Sequence, residues 1–322
     1  MYRIDDATAA TSLPVPESAG TEGFFTEGNP ATGTPATKVR GSWLNMIQEE
    51  LCAVLAAAGI ARSKTTYNQV NSALQKMYSP IVGSSRNLAM NVPAASATAT
   101  LTADQIVVAS ALNGQTFIIP SFNKTINLAT TGAGGMDVGS APASGFVALY
   151  AIYNPTTGAS ALLATNATST AAPNVYGGGS MPAGYTASAL VSVWPTNGSR
   201  QFIIGFQRDR KISLNGVNSV TGNAAVGSFL ALSISSVVPM NANSVSGWMG
   251  ISSSGVASTL AIYIASSSGG LCQKLVQGNN TNAVNSSFGD LVISTAQTIY
   301  YYNSCQGSTI VAQSIYITDY VI

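Results

Sequence analysis

FLALSIS, Phe229 to Ser235, decides the fold class: Leu230, Leu232 and Ile234 alternate with Ala231, Ser233 and Ser235. A period of two puts successive side chains on opposite faces of an extended chain, so the segment reads as a half-buried antiparallel strand. Working outward, similar runs recur at Gln115–Ile119, Phe146–Tyr153, Ala189–Trp194, Gln201–Phe206, Thr259–Ile264, Leu291–Ile293, Thr298–Tyr302 and Thr309–Ile317. Gly, Asn, Ser and Pro separate them at short intervals, the punctuation of a sandwich or barrel. The cluster Arg208-Asp209-Arg210-Lys211, followed by Leu214-Asn215-Gly216, reads as a solvated linker between two β units. The stretch 278–287, GNNTNAVNSS, reads as a polar loop.

Before residue 79 the period changes. In SWLNMIQEELCAVLAAAG, from Ser42, the residues Leu44, Ile47, Leu51, Val54 and Ala58 follow a 3,4,3,4 spacing. That spacing predicts a helix with one narrow apolar seam, Ser42 as its N-cap and Gly59 as its stop. A second helix is expected from Tyr67 to about Met77, with Val70 and Leu74 on its stripe and Thr66 and Gln69 as a capping box. Two short helices with narrow stripes build no globular core alone. They pack either on each other or on copies of themselves around a symmetry axis, and the seam favours the second. Residues 1–41 carry Pro14, Pro16, Pro30 and Pro35, which predicts an extended arm.

Composition narrows the function. The chain has 322 residues, 46% of them hydrophobic and only 8% charged, with a net charge of +1. Of its 25 charged residues, 14 lie in the first 86 positions, and only Lys274, Asp290 and Asp319 follow Lys211. No clustered Lys and Arg offers a footprint for nucleic acid. There is no His, which excludes Cys/His zinc sites and Ser-His-Asp or Cys-His catalysis. Neither a metal nor a cofactor is expected. Cys52 lies in the helical pattern and reads as a small buried side chain; Cys272 and Cys305 show no ligand spacing. The opening MYRIDDATAA lacks the basic start and apolar stretch of a secretion signal, and no run approaches a membrane span, so no membrane insertion is expected.

The stretch from Gly23 to Ile60, GFFTEGNPATGTPATKVRGSWLNMIQEELCAVLAAAGI, resembles the attachment segment of bacteriophage and prophage tail fibres. The matching positions are Phe25, Glu27 to Thr37 (with Asn29 and Pro30), Trp43 to Asn45 (with Leu44), Gln48 to Leu51 (with Glu49), and Ala58 to Ile60. Looser phrases of similar fibres are Tyr150 to Pro155, Met181 to Tyr185 leading into Trp194 to Asn197, and Thr295 to Tyr301. The resemblance implies a homotrimeric fibre in the virion tail. Residues 1–60 would attach to baseplate or tail-tip proteins and 61–86 would form a helical neck. Two antiparallel β-sandwich-like domains, 87–211 as shaft and 212–322 as receptor-binding domain, would follow and meet a glycan, pilus or outer-membrane protein on a bacterial surface. Such an assembly would bury the seam Leu44, Ile47, Leu51, Val54, Val70 and Leu74 between chains.

Adhesion without catalysis is the expected function. Glycoside hydrolysis usually needs two nearby carboxyl groups, and beyond residue 86 the acids are only Asp104, Asp137, Asp209, Asp290 and Asp319. A structural segment carrying another adhesin and a polysaccharide depolymerase are the alternatives. Candidate receptor contacts are the aromatics and amides Trp248, Asn280, Asn282, Tyr300, Tyr302 and Tyr316, with Tyr263, Tyr301 and Tyr320 among the wider set. Alternation places Tyr300 and Tyr302 on one face and Tyr301 on the other, so one of the two groups belongs to the core.

Overall fold

The computed structural model describes residues 2–220 and 222–322. It divides into two compact units, Met1–Ser79 and Pro80–Ile322.

In the first unit the arm has no helix or strand until a short 3-10 turn at Pro30–Thr32. That turn is built by the polar residues around it. Asn29 accepts from the Ala31 N–H with its side chain, and its backbone pairs both ways with Thr34. Gly28 sits at φ 72, where a Cβ would lie 2.5 Å from the Thr34 carbonyl oxygen, so glycine is required there on two counts. The helix α1 spans Gly41–Ala57 and α2 spans Gln69–Met77.

Gly59 stops α1 as the sequence predicts. It lies at φ 64, with its N–H on the Ala56 carbonyl and the next N–H, from Ile60, on the Leu55 carbonyl, the two bonds of a Schellman cap. The start differs from expectation. The N-cap is Arg40, without a side-chain bond, because the Ser42 hydroxyl donates to Glu17 of the arm. The capping box on α2 is also absent: Thr66 bonds Ser63, while the buried Gln69 accepts from the Ser63 N–H and donates to the Ala61 carbonyl.

The two helices pack on each other, and the buried side chains are Cys52 and Leu55 of α1 with Gln69 and Ala73 of α2. Cys52 and Leu55 follow Leu51 and Val54 by one position each, a rotation of about 100° around the axis. The expected seam is therefore not what joins the helices. Leu44 is 54% exposed and Leu74 43%, and Ile47, Leu51, Val54 and Val70 are half-buried.

The second unit holds fourteen strands in chain order: β1 Ser85–Arg86, β2 Ala89–Val92, β3 Thr98–Ala109, β4 Thr116–Asn127, β5 Phe146–Tyr153, β6 Ser160–Asn166 and β7 Ala187–Pro195. Then come β8 Gly205–Arg208, β9 Lys211–Asn218, β10 Leu230–Ser233, β11 Ser244–Ala265, β12 Lys274–Val292, β13 Thr298–Gln306 and β14 Ile310–Val321. Every named pair is antiparallel, and the path runs β10-β13-β11-β14-β9-β8-β2-β3-β7-β5-β6, with β1 and β4 on β3 and β12 on β11. The unit is thus one curled, mainly β sheet.

β5 and β7 are buried on both faces. Val147, Leu149 and Ala151 enter the main core, whereas Phe146, Ala148, Tyr150 and Ile152 form a second cluster covered by Tyr176, Met181 and Tyr185 of the connection before β7. That connection is pinned: the Tyr150 hydroxyl donates to the Pro173 carbonyl, the Leu190 N–H donates to the Asn174 carbonyl, and the Asn241 side chain bonds the Ala172 backbone in both directions. Burial raises the Tyr150 phenol well above its ordinary range.

Three expectations are corrected here. The Arg208–Lys211 cluster is not a solvated linker but the turn of the β8–β9 hairpin, with Arg208 paired to Lys211 and Asp209 at φ 50. Asp209 exchanges two bonds with the Leu88 backbone, and the Arg210 guanidinium donates to the carbonyls of Leu190, at 3.0 Å, and Gly83, at 2.8 Å. Its partial burial lowers its pKa through desolvation. The expected strand Gln201–Phe206 begins only at Gly205; Phe202 instead makes isolated bridges to Ser96 and Thr196. Finally, 278–287 is not a loop, since it lies inside β12.

The long strand β11 explains the last error. Its first part, Ser244–Ser253, pairs with β14 and its last part, Thr259–Ala265, with β13, with a register shift between Ser252 and Ala257. β12 follows its other edge through both parts. As an edge strand β12 turns only Val276, Val284, Phe288 and Leu291 to the core, so the Asn, Ser and Thr between them signal an exposed strand face as well as they signal a turn.

Candidate functional site

The attachment residues are held by contacts the sequence pattern does not encode. Phe25 meets Trp43 edge-on with ring centroids 4.9 Å apart, tying the arm to the start of α1. Gln48 accepts from the Ile4 N–H at 2.7 Å, Glu49 pairs with the Arg3 guanidinium, and Asp5 meets Lys64 at 2.6 Å. Three consecutive arm residues thus strap across α1 and the α1–α2 connection. The Arg3 hydrogen bond holds the Glu49 carboxyl below its ordinary pKa, and the Lys64 hydrogen bond does the same for Asp5. All these groups are exposed, so the ion pairs contribute little to stability. Arg3, Asp5 and Lys64 gave no signal in the sequence because their partners lie 46 and 59 residues away. An open groove of about 980 Å³ runs along the arm and is lined by Leu13, Pro14, Phe24, Phe25, Trp43 and Met46, among others. Pro30 begins the 3-10 turn, and Leu44 stands in solvent.

The receptor candidates fall into two aromatic groups and a remainder. Trp248 of β11 and Tyr316 of β14 are direct cross-strand partners whose rings stack at 4.2 Å with an interplanar angle of 10°. Trp248 is 39% exposed and Tyr316 half-buried, while their neighbours Met249, Ile315 and Ile317 turn inward to the core. The same register sets Ser287 of β12 opposite Trp248. The second group is Tyr302 with Tyr263, at 4.9 Å, and Phe229, at 6.0 Å, with the Tyr263 hydroxyl on Gln277. Tyr300 shares the outward face with Tyr302, and Tyr301 is buried, as alternation predicted. Asn280 and Asn282 are exposed but sit in mid-β12, five or more residues along the strand from the Trp248 row. Tyr320 is no surface residue: it is fully buried, with its hydroxyl on the Val193 carbonyl at 2.6 Å.

Gly216 of β9 belongs with the first group, although its aromatic neighbours gave no local sign of it. A Cβ there would lie 3.4 Å from Cδ1 of Tyr316 and 3.3 Å from Cγ2 of Thr318. A glycine inside a strand is the signal that marks such a close approach.

Four of the five acids beyond residue 86 have their carboxylates engaged in the fold. Asp104 accepts from Asn87, Asp137 from Tyr176, Asp209 from the Leu88 N–H, and Asp319 from Thr318 while also pairing with Lys211 at 2.8 Å. Asp290 lies at φ 47 and its N–H donates to Ser246. Among the described residues no group of three or more His, Cys, Asp or Glu is placed to hold a metal ion. Cys272 and Cys305 are both free. No described helix is long and apolar enough to cross a membrane.

Comparison with known proteins gives one partial relative. Over 77 residues the chain is 43% identical to an uncharacterised protein, StfP, of Escherichia coli strain K12. The match covers 24% of this chain and 35% of StfP, so it spans about a third of the relative's length. No family model matches the chain. No solved structure matches it.

Proposed function

We propose that the chain is a phage or prophage tail-fibre protein that attaches a virion to a bacterial surface receptor by adhesion, without catalysis. Residues 1–60 act as the attachment to baseplate or tail-tip proteins and 61–86 as the neck. The sheet unit that follows, one continuous antiparallel sheet, carries the shaft and the receptor-binding surface of a homotrimer. The observation that carries the reading is the apolar surface of the first unit: Phe24, Phe25, Trp43, Leu44, Met46 and Leu74 all stand substantially in solvent on a single chain. Phe24, Phe25, Trp43 and Met46 line one groove, and contiguous apolar surface of this kind is covered in use by partner chains. The half-buried Ile47, Leu51 and Val54 continue the stripe on α1. The structural roles of Asp104, Asp137, Asp209 and Asp319 favour adhesion over hydrolysis.

The test is Ile47→Asp in the full chain. A charge at that position is incompatible with a buried interchain seam. Light scattering should fall from trimer to monomer mass, with loss of virion incorporation. An unchanged mass together with normal incorporation would sink the seam. Adsorption is tested separately, by asking whether the purified full chain blocks phage binding to cells.

A further inference from the structure

We infer that the Trp248–Tyr316 stack, with the shelf beside it at Gly216, is a binding slot for a neutral glycan. This rests on the adhesive reading above and names the ligand class for one of its candidate surfaces.

The geometry comes from three strands. Side by side on β11 and β14, Trp248 and Tyr316 cover one ring face of each other. Each has its second face turned toward a neighbouring strand. Beside Tyr316 the directly opposite residue on β9 is Asn218, whose Oδ1 is held by the Ile315 and Val220 N–H groups, and Gly216 lies on the diagonal, where a Cβ would meet Thr318 Cγ2 at 3.3 Å and Tyr316 Cδ1 at 3.4 Å. Beside Trp248 the opposite residue is Ser287, whose side chain is short. A further step along β11, Gly250 lies between Asn285 and Ser314; a Cβ there would meet Asn285 Cβ at 3.3 Å and Ser314 Oγ at 3.5 Å. Ser287 beside Trp248 and Gly216 diagonal to Tyr316 thus leave room along the stack, with the hydroxyls of Ser287 and Ser314 and the carboxamides of Asn218 and Asn285 close by.

The chemistry of the surroundings selects the ligand. A flat aromatic face takes an apolar ring face, and neutral groups that both donate and accept suit hydroxyls and acetamido groups. A pyranose presents both. Anionic ligands find no counter-ion: after Lys211 the only basic side chain is Lys274, opposite Ile264 at the far end of the β11–β12 pair, and Lys211 itself is already paired with Asp319. An acidic sugar would give up its hydration for no compensating ion pair. Gly216 has no positive φ and so needs no glycine for backbone reasons. Its missing side chain is explained by the space it leaves.

The test uses the full chain against immobilised, delipidated bacterial O-polysaccharides, one neutral set and one acidic, with cell adsorption measured in parallel. Gly216→Val puts a branched side chain against the Tyr316 ring, and Trp248→Ala removes half of the stack. Gly227→Val is the control, since a Cβ there meets nothing within 4 Å. Circular dichroism and the thermal midpoint check that each variant folds. Trp248→Ala, at a partly exposed position, keeps the test open if Gly216→Val does not fold. The expected result is binding to neutral polysaccharide, at least tenfold weaker in both slot variants and unchanged in the control. Binding only to acidic polysaccharide, or neutral binding indifferent to Trp248→Ala, overturns the slot. Adsorption to cells without binding to any polysaccharide overturns the glycan assignment and leaves adhesion standing. Loss of both removes the adhesive reading itself.

Discussion

Replacing Arg210 with alanine removes a guanidinium that links three separate parts of the sheet unit, and its cost follows from what that group touches. Its two bonds go to the carbonyls of Leu190 on β7 and Gly83 ahead of β1, 20 and 127 residues away in sequence. Hydrogen bonds from a charged donor contribute roughly 1.5–3 kcal/mol each. Partial burial of the charge, visible in its lowered pKa, offsets part of that gain. The net loss should be about 2–4 kcal/mol. Gly83 supplies an internal control. It lies at φ 79, and a Cβ there would come within 2.5 Å of Nη2 of Arg210. Gly83→Ala therefore carries both backbone strain, roughly 1–2 kcal/mol, and a collision with the guanidinium. In an Arg210→Ala background the collision disappears, so Gly83→Ala should cost less there than in the parent. A denaturant series on the four proteins at one fixed concentration measures the cycle. Strict additivity, or an Arg210→Ala loss below about 0.5 kcal/mol, the range of ordinary surface substitutions, would refute the anchoring role.

Two further predictions concern the attachment unit. Gly28→Ala should open the turn around Asn29, because it adds both a strained positive φ and a 2.5 Å approach to the Thr34 carbonyl; loss of virion incorporation with the β unit's melting unchanged is the expected outcome, and normal incorporation would show the turn to be dispensable. The strap from Arg3 to Asp5 should be pH-sensitive. Since Glu49 and Asp5 are held below their ordinary pKa values when folded, its contribution is complete at neutral pH and fades as pH falls through those lowered values. The protection of the Ile4 amide, its exchange rate relative to an unfolded chain at the same pH, should fall over that acidic range and in high salt, while constant protection would mean that the pairs do not hold the arm.

How much of this was legible depends on the distance between partners. Phe146–Tyr153 was bounded without error because its apolar run is continuous and both faces are buried. Gly59 was read correctly because a Schellman cap is a local event. β1, β2, β3, β6 and β9 are absent from the strands that the sequence predicts. In β3 the alternation of Ala99, Leu101 and Ala103 with Thr and Asp is present but weak, carried partly by alanine. Arg210 reads as solvated in the sequence because charge clusters ordinarily are, and only the tertiary contacts with Leu190 and Gly83 make it an anchor. The stack of Trp248 on Tyr316 depends on a register between residues 68 apart in the chain. Each aromatic was visible alone, and their meeting was not.

The parity of β12 has a consequence for how such a surface changes over time. Its core requirements are met by a few inward residues, Val276, Val284, Phe288 and Leu291, while outward positions such as Gln277, Asn279, Asn285 and Ser287 are exposed. Substitutions at exposed sites generally alter stability by less than about 0.5 kcal/mol. On the adhesive reading proposed above, folding and recognition are therefore selected on interleaved residues of one strand. The outward set is free to drift toward a new ligand while the inward set keeps the sheet, so variation can be tried without first finding stability to spare.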